Sequence, residues 1–147
     1  MMVRFTVELE KTGVDPSYIT HNVIRSTLTN SSEELRRELT LNSPKGETKF
    51  LYASWFIEEK GELERTVYSD VRYSEWVNNG TGIYGERGDV IRPRKASVLV
   101  FKIHGETIFA KYVRGIKPRR FVEKSIKNTK KRLDEMFARA LQDNYGG

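Results

Sequence analysis

The 147-residue chain contains no cysteine and only two histidines, His21 and His104. The first absence excludes a disulfide framework, a thiol nucleophile and a thiolate metal site, and it is compatible with a reducing interior. The two histidines fall in different segments with no ligand spacing around either, so no metal is expected. No run of about 18 apolar residues occurs, which leaves no transmembrane helix to expect. The first ten residues alternate and carry charge, unlike the apolar centre of a signal peptide. There is no Gly-x-Ser-x-Gly elbow and no phosphate-cradling Gly-x-x-x-x-Gly-Lys-Ser. Gly80-Thr81-Gly82 has neither the strand before it nor the helix after it that a nucleotide fingerprint needs. Glu58, Glu59, Glu62 and Glu64 cluster at a hairpin tip, where carboxylates stay solvated, without the apolar pocket that a catalytic pair needs. Neither catalysis nor a cofactor is expected.

What is present is charge and pattern. Hydrophobic residues make up 37% and charged residues 31%, with a net charge of +6 and a pI near 9.5. That suits one soluble domain able to bury a core, with a surface open to nucleic acid or an acidic partner.

Val3, Phe5, Val7 and Leu9 alternate with polar residues, the pattern of a half-buried strand. Asp15-Pro16 reads as a helix start. Ile19, Val23, Ile24, Leu28, Leu35 and Leu39 then follow one helical face to about Thr40, with Asn30-Ser31-Ser32 as a possible break. Asn42-Ser43-Pro44-Lys45-Gly46 supplies turn chemistry. Residues 50–57 and 63–68 read as a hairpin with its tip at 58–62. A short aromatic helix at Tyr73–Val77 runs into Asn78, Asn79, Gly80 and Gly82, which all tolerate left-handed backbone. The connection from 79 to about 96 reads as a flexible loop, longer than most. Residues 97–103 and 107–113 suggest a second hairpin around His104-Gly105-Glu106. A long C-terminal helix carries Val122, Ile126, Thr129, Leu133, Met136, Phe137, Ala140 and Leu141 on one stripe, and residues 144–147 should fray.

Basic residues crowd between Lys111 and Arg132. Arg119, Arg120, Lys124, Lys127 and Lys131 form the basic face expected to meet an acidic partner or a phosphate backbone. No aromatic residues interleave with them as a single-strand stacking platform requires.

Four segments in order resemble the tail-completion, or head–tail joining, family of long-tailed bacteriophages. Ser43-Pro44-Lys45-Gly46 with Leu51 and Ser54 is similar to the family's proline–glycine turn into a strand. Tyr73-Ser74-x-x-Val77-x-x-Gly80-Thr81-Gly82 resembles its Tyr-Ala-x-x-Val-Glu-x-Gly-Thr segment, with Ser74 and Asn78 departing from it. Ile91-x-Pro93 followed by Leu99 and Phe101, and Gly115-Ile116-x-Pro118-x-x-Phe121, are similar to the last two elements. The resemblance spans roughly residues 40 to 125.

It implies a structural virion protein without catalysis, assembled in the host cytoplasm. The expected partners are other copies in a ring, commonly a hexamer, the neck or head-connector protein, and the tail tube or terminator. Contact with DNA in the channel is a further expectation. Asn79, Gly80, Thr81, Gly82, Ile83, Tyr84, Arg87, Ile91 and Pro93 are the residues expected at the subunit interface. A tail terminator is the alternative within this setting, and a sequence-nonspecific nucleic-acid module is the alternative outside it.

The expected fold is a single α+β domain with a mainly antiparallel sheet of four or five strands. An N-terminal helical segment and the long C-terminal helix should pack it. Phe5, Val7, Trp55, Ile57, Val67, Trp76, Leu99, Phe101, Phe121, Leu133 and Phe137 are the expected core.

Overall fold

The computed structural model describes residues 1–3, 15–46 and 51–146. Phe5, Val7 and most of the alternating N-terminal segment lie outside the described residues, as does Phe50. The architecture is α+β, and every described strand pairing is antiparallel. Contacts divide the chain into two compact units, residues 1–72 with 121–147 and residues 73–120. The second unit is therefore an insertion within the first.

In the first unit, β1 (Met2–Val3), β3 (Glu64–Ser69) and β2 (Trp55–Gly61) form a sheet in the order β1-β3-β2. Helix α1 (His21–Asn42) packs on β2 and β3 and also contacts α3 (Phe121–Lys130) and α4 (Leu133–Tyr145). The hub is thus a helix. Val23, Leu35, Leu39, Leu51, Trp55, Val67, Phe121, Val122, Met136 and Ala140 make the buried apolar core. Trp55 and Phe121 meet edge to face with centroids 6.1 Å apart. Such a contact adds about 1 kcal/mol beyond the area it buries.

Asn30-Ser31-Ser32 does not break α1. Ser31 and Ser32 are fully buried mid-helix, and their hydroxyls donate to the Leu28 and Thr29 carbonyls at 3.0 and 2.8 Å. Bonding back to their own helix satisfies the hydroxyls, and small side chains leave room for close neighbours. The helix also starts later than Pro16. Asp15 caps a single 3-10 turn, Pro16–Tyr18, and Thr20 caps α1. Its end is fixed by Ser43, whose hydroxyl donates to the Leu39 carbonyl (2.6 Å) and accepts from the Trp55 indole (2.8 Å).

The expected long C-terminal helix is two helices. Arg132 leaves helical geometry, with φ −104° and ψ 0°, and its amide reaches back to Thr129 in a tighter turn at 3.0 Å. Thr129 already bonds the Ser125 carbonyl through its hydroxyl at 2.9 Å. Arg132 is instead drawn to Glu34 of α1, its guanidinium 2.7 Å from that carboxylate. At the far end α4 continues through Tyr145, where fraying was expected. The Tyr145 ring sits edge-on to Tyr18 with centroids 5.1 Å apart.

The turn of the first hairpin lies at Glu62-Leu63, at the far end of the expected tip, with β2 running on through a register irregularity between Glu59 and Gly61. Arg65 is buried beneath it. Its guanidinium donates to the Gly61 carbonyl (2.7 Å) and the Glu64 carbonyl (3.0 Å), holding the tip from inside.

The second unit contains α2 (Ser74–Asn79), a 3-10 turn at Gly82–Tyr84, and the hairpin of β4 (Leu99–Ile103) and β5 (Glu106–Ala110). The expected single sheet of four or five strands is therefore not formed. β4 and β5 pair only with each other among the described strands. Their two-residue loop, His104-Gly105, has φ of 49° and 84°. Two left-handed residues match the right-handed twist of the flanking strands, which sets a tight register. Trp76, expected in the core, is 59% exposed, because α2 is too short to bury its aromatic side.

Candidate functional site

The second unit has an unusual internal economy. It contributes no buried large apolar side chain; its buried residues are Ser74, Asn78 and Gly80. Backbone pairing supplies the cohesion. Thr81 donates its amide to the Ile116 carbonyl (2.9 Å) and accepts the Ile116 amide on Oγ1 (3.0 Å). Ile83 donates to Arg114 at 2.8 Å, and Ile91 and Val113 exchange amides at 2.8 and 3.0 Å. The amides of Arg119 and Arg120 reach the Val77 and Asn78 carbonyls at 3.0 and 3.1 Å, closing the unit where the chain enters and leaves it. Three separate sequence segments are thus one backbone-bonded structure.

Glycine makes this approach possible. Gly82 and Gly115 lie side by side at φ 64° and 101°. A Cβ on Gly82 would stand 2.7 Å from the Arg114 carbonyl carbon and 2.9 Å from the Gly115 Cα. A Cβ on Gly80 would meet Tyr84, Ile116 and Pro118 at 2.9–3.0 Å. Gly80, Thr81 and Gly82 therefore have an intramolecular task, and only some of the residues expected at an interface face outward. Asn79, Ile83, Arg87 and Ile91 are exposed, while Tyr84 and Pro93 are half-buried. Lys117 lies 5.8 Å from the centre of the Tyr84 ring. Residues 79–96, expected as a flexible loop, include the 3-10 turn and the Ile91 bridge. A cleft of about 530 Å3 there is lined by Arg87, Arg92 and Arg94 together with Glu86 and Asp89.

The hairpin is the outward part. No residue of β4 or β5 is buried. Val100 pairs with Phe109 and Lys102 with Thr107 on one face; Leu99 with Ala110 and Phe101 with Ile108 on the other. Val100 is 59% and Phe109 68% exposed. Sequence reasoning placed Leu99 and Phe101 in the core and overlooked Val100 and Phe109. The signal was there: Val98 to Phe101 and Ile108 to Ala110 are unbroken apolar runs, the mark of strands covered on both faces.

Charge divides along the same line. Residues 73–120 hold ten Lys and Arg against four Asp and Glu, a net +6, whereas the rest of the chain holds sixteen of each. The five residues expected to form one basic face are all exposed. Arg119 and Arg120 belong to the second unit and precede α3, with Arg120 at φ 51°. Lys124 and Lys127 are on α3, and Lys131 follows it in the turn to α4. Ile126 and the neighbouring lysines line a shallow depression there.

Several charges of the first unit are tied into its structure. Glu38 accepts from Arg37 (3.0 Å), Asn42 (3.0 Å) and Asn128 (2.8 Å), tying α1 to α3. A hydrogen bond from Arg37 holds the Glu34 carboxyl below its ordinary value of 4.5, partial burial opposes this, and Arg132 adds to the lowering. The described residues contain no cluster of three metal-ligating side chains, and no described helix is long and apolar enough to cross a membrane. No protein-family model, curated protein or solved structure matches this chain.

Proposed function

We propose that this chain is a structural virion protein of a long-tailed phage, forming a ring at the neck that completes the tail and joins it to the head connector. The single observation behind this reading is the second unit. It is a 48-residue insertion with no buried apolar side chain of any size, and it displays apolar residues on both faces of a hairpin. Isolated two-stranded hairpins are marginal in water, and units this small rarely persist without a partner surface. A contiguous exposed apolar patch on a folded chain marks an interaction site. A protein whose work is assembly accounts for that arrangement. The reading includes no catalysis, no cofactor and residence in the particle.

The test is electron microscopy of particles from a phage with a stop codon at Trp55, grown in a non-suppressing host. Filled heads beside separate tails of normal length are expected. Overlong or irregular tails would make the protein a terminator. Intact infectious particles would overturn the virion role. One observation favours a second reading: the net +6 sits wholly in the second unit, as suits a module that grips phosphate backbones without sequence preference. A steep loss of DNA affinity with salt, in a chain that never enters particles, would establish it.

A further inference from the structure

Two patches on this one chain are complementary to each other. The first is the face of the β4–β5 hairpin that carries Val100 and Phe109, with Lys102 on the same face and Lys111 directly after β5. The second is on the β2–β3 hairpin of the other unit. There Phe56, 48% exposed, lies beside Tyr68 with ring centroids 5.8 Å apart. Glu58, 3.8 Å from Lys60, follows on the same face, and Glu62, 2.8 Å from His21, and Glu64 stand exposed at the tip. β2 is also the outer strand of its sheet, so one edge of its backbone has no strand partner among the described residues.

We infer that the β4–β5 hairpin of one copy seats against the Phe56–Tyr68 face and glutamate-rich tip of the β2–β3 hairpin of a second copy. Aromatic and aliphatic side chains meet at the centre, Val100 and Phe109 against Phe56 and Tyr68. Lys102 and Lys111 face the glutamates at the rim. That is the usual anatomy of a specific interface, with apolar anchors inside and charge outside. The occupant is another copy because one chain supplies both halves of the match, in polarity and sign of charge. A free strand edge and an apolar hairpin are moreover the pieces from which strand-on-sheet recognition is built.

The consequence is directional. The two patches are different surfaces, so the contact is heterologous, and each copy keeps one hairpin and one acceptor still to fill. Repetition then closes a ring or runs on as a filament. This inference deepens the ring reading above, and it predicts the ring's polarity from the chain itself.

The experiment uses purified full-length protein and two variants, with circular dichroism and melting curves confirming that both fold. The hairpin variant is Val100→Ser with Phe109→Ser; the acceptor variant is Phe56→Ser with Glu58→Lys. Mass is measured by sedimentation across concentration. Wild type is expected to associate, less so as salt rises. Each variant alone should associate roughly 10- to 100-fold more weakly, the usual loss when central anchors are removed. An equimolar mixture should form a one-to-one dimer that grows no further, since only one intact hairpin and one intact acceptor remain.

Full-size assemblies from the mixture would overturn the inference, as would association of either variant at the wild-type strength. Wild-type protein that stays monomeric at every concentration would also overturn it. Failure of the virion role reads out separately. Infectious particles from the stop-codon phage would remove that role and leave the mass measurement standing, whereas neck-defective particles with a monomeric protein would do the reverse.

Discussion

The two units of this protein reach a folded state by different means. The first buries leucines, valines and a Trp–Phe pair around a central helix, and it adds internal polar ties such as Glu38 to Asn42 and Asn128. The second buries serine, asparagine and glycine, and holds together by main-chain hydrogen bonds between segments that glycine lets approach. One has finished its hydrophobic burial. The other has its backbone settled and its apolar side chains still facing water. A chain can thus fix its backbone while leaving apolar side chains uncovered.

Mutations in the two units should differ in both size and reach. The largest effect should come from Leu39→Ala, which removes a fully buried side chain from the first unit. A loss of about 2–5 kcal/mol is expected, read from denaturant unfolding. Gly82→Ala should follow, at roughly 2–4 kcal/mol, because it combines positive φ with a backbone overlap that neither neighbour can relieve. Its signature differs from that of Leu39→Ala. Hydrogen exchange should rise across 73–120, while the amides of α1 and β3 keep their protection. Gly88→Ala is the control, with φ of 67° and open space around it. Strain alone should cost about 1 kcal/mol there. Equal effects of the two glycine substitutions would break the account of the second unit as a structure welded by close approach.

The folding pattern was readable wherever side-chain period and backbone demand agree. The α1 stripe, both hairpins and the turn at Ser43-Pro44 follow from alternation, helical spacing and turn residues. Reading failed where a residue's usual preference was overruled. Ser31 and Ser32 look like a break, yet their hydroxyls turn inward and satisfy themselves on the preceding helical turn. Arg132 sits within an unbroken apolar stripe, and a carboxylate on another helix, Glu34, draws it out of line. Trp76 was expected in the core and is exposed, because apolar character tells that a side chain wants cover without telling whether its own chain provides it. At the candidate site, Gly80-Thr81-Gly82 was legible as a backbone feature. Its partner across the fold, Arg114 to Ile116, was not, because main-chain pairing leaves little trace in side-chain pattern.

A smaller effect concerns acid. Glu34 has its folded-state pKa lowered, with the Arg37 hydrogen bond the largest cause. A lowered carboxyl contributes stability that is present above the unfolded value and lost as pH falls through the folded one. Stability of the first unit should therefore decline below about pH 4.5, and Glu34→Gln should flatten that decline. Melting temperatures between pH 6 and pH 3 for both proteins provide the check, and parallel curves would count against the assignment. The smallest effect on stability is expected from Val100→Ser with Phe109→Ser, within about 0.5 kcal/mol per site, since neither side chain is buried in the monomer. A large loss there would mean that the hairpin serves its own fold.

That the second unit is an insertion also bears on how the protein is made. Helix α1 ends at Asn42, but α3, which it must pack against, does not begin until Phe121. At synthesis rates of roughly 5–20 residues per second, the helix waits several seconds on the ribosome with one flank uncovered. Residues 73–120 are all made within that interval, and Arg119 and Arg120, which bond Val77 and Asn78, come last among them. The packing of α1 against α3 can therefore form only after the whole second unit has been made.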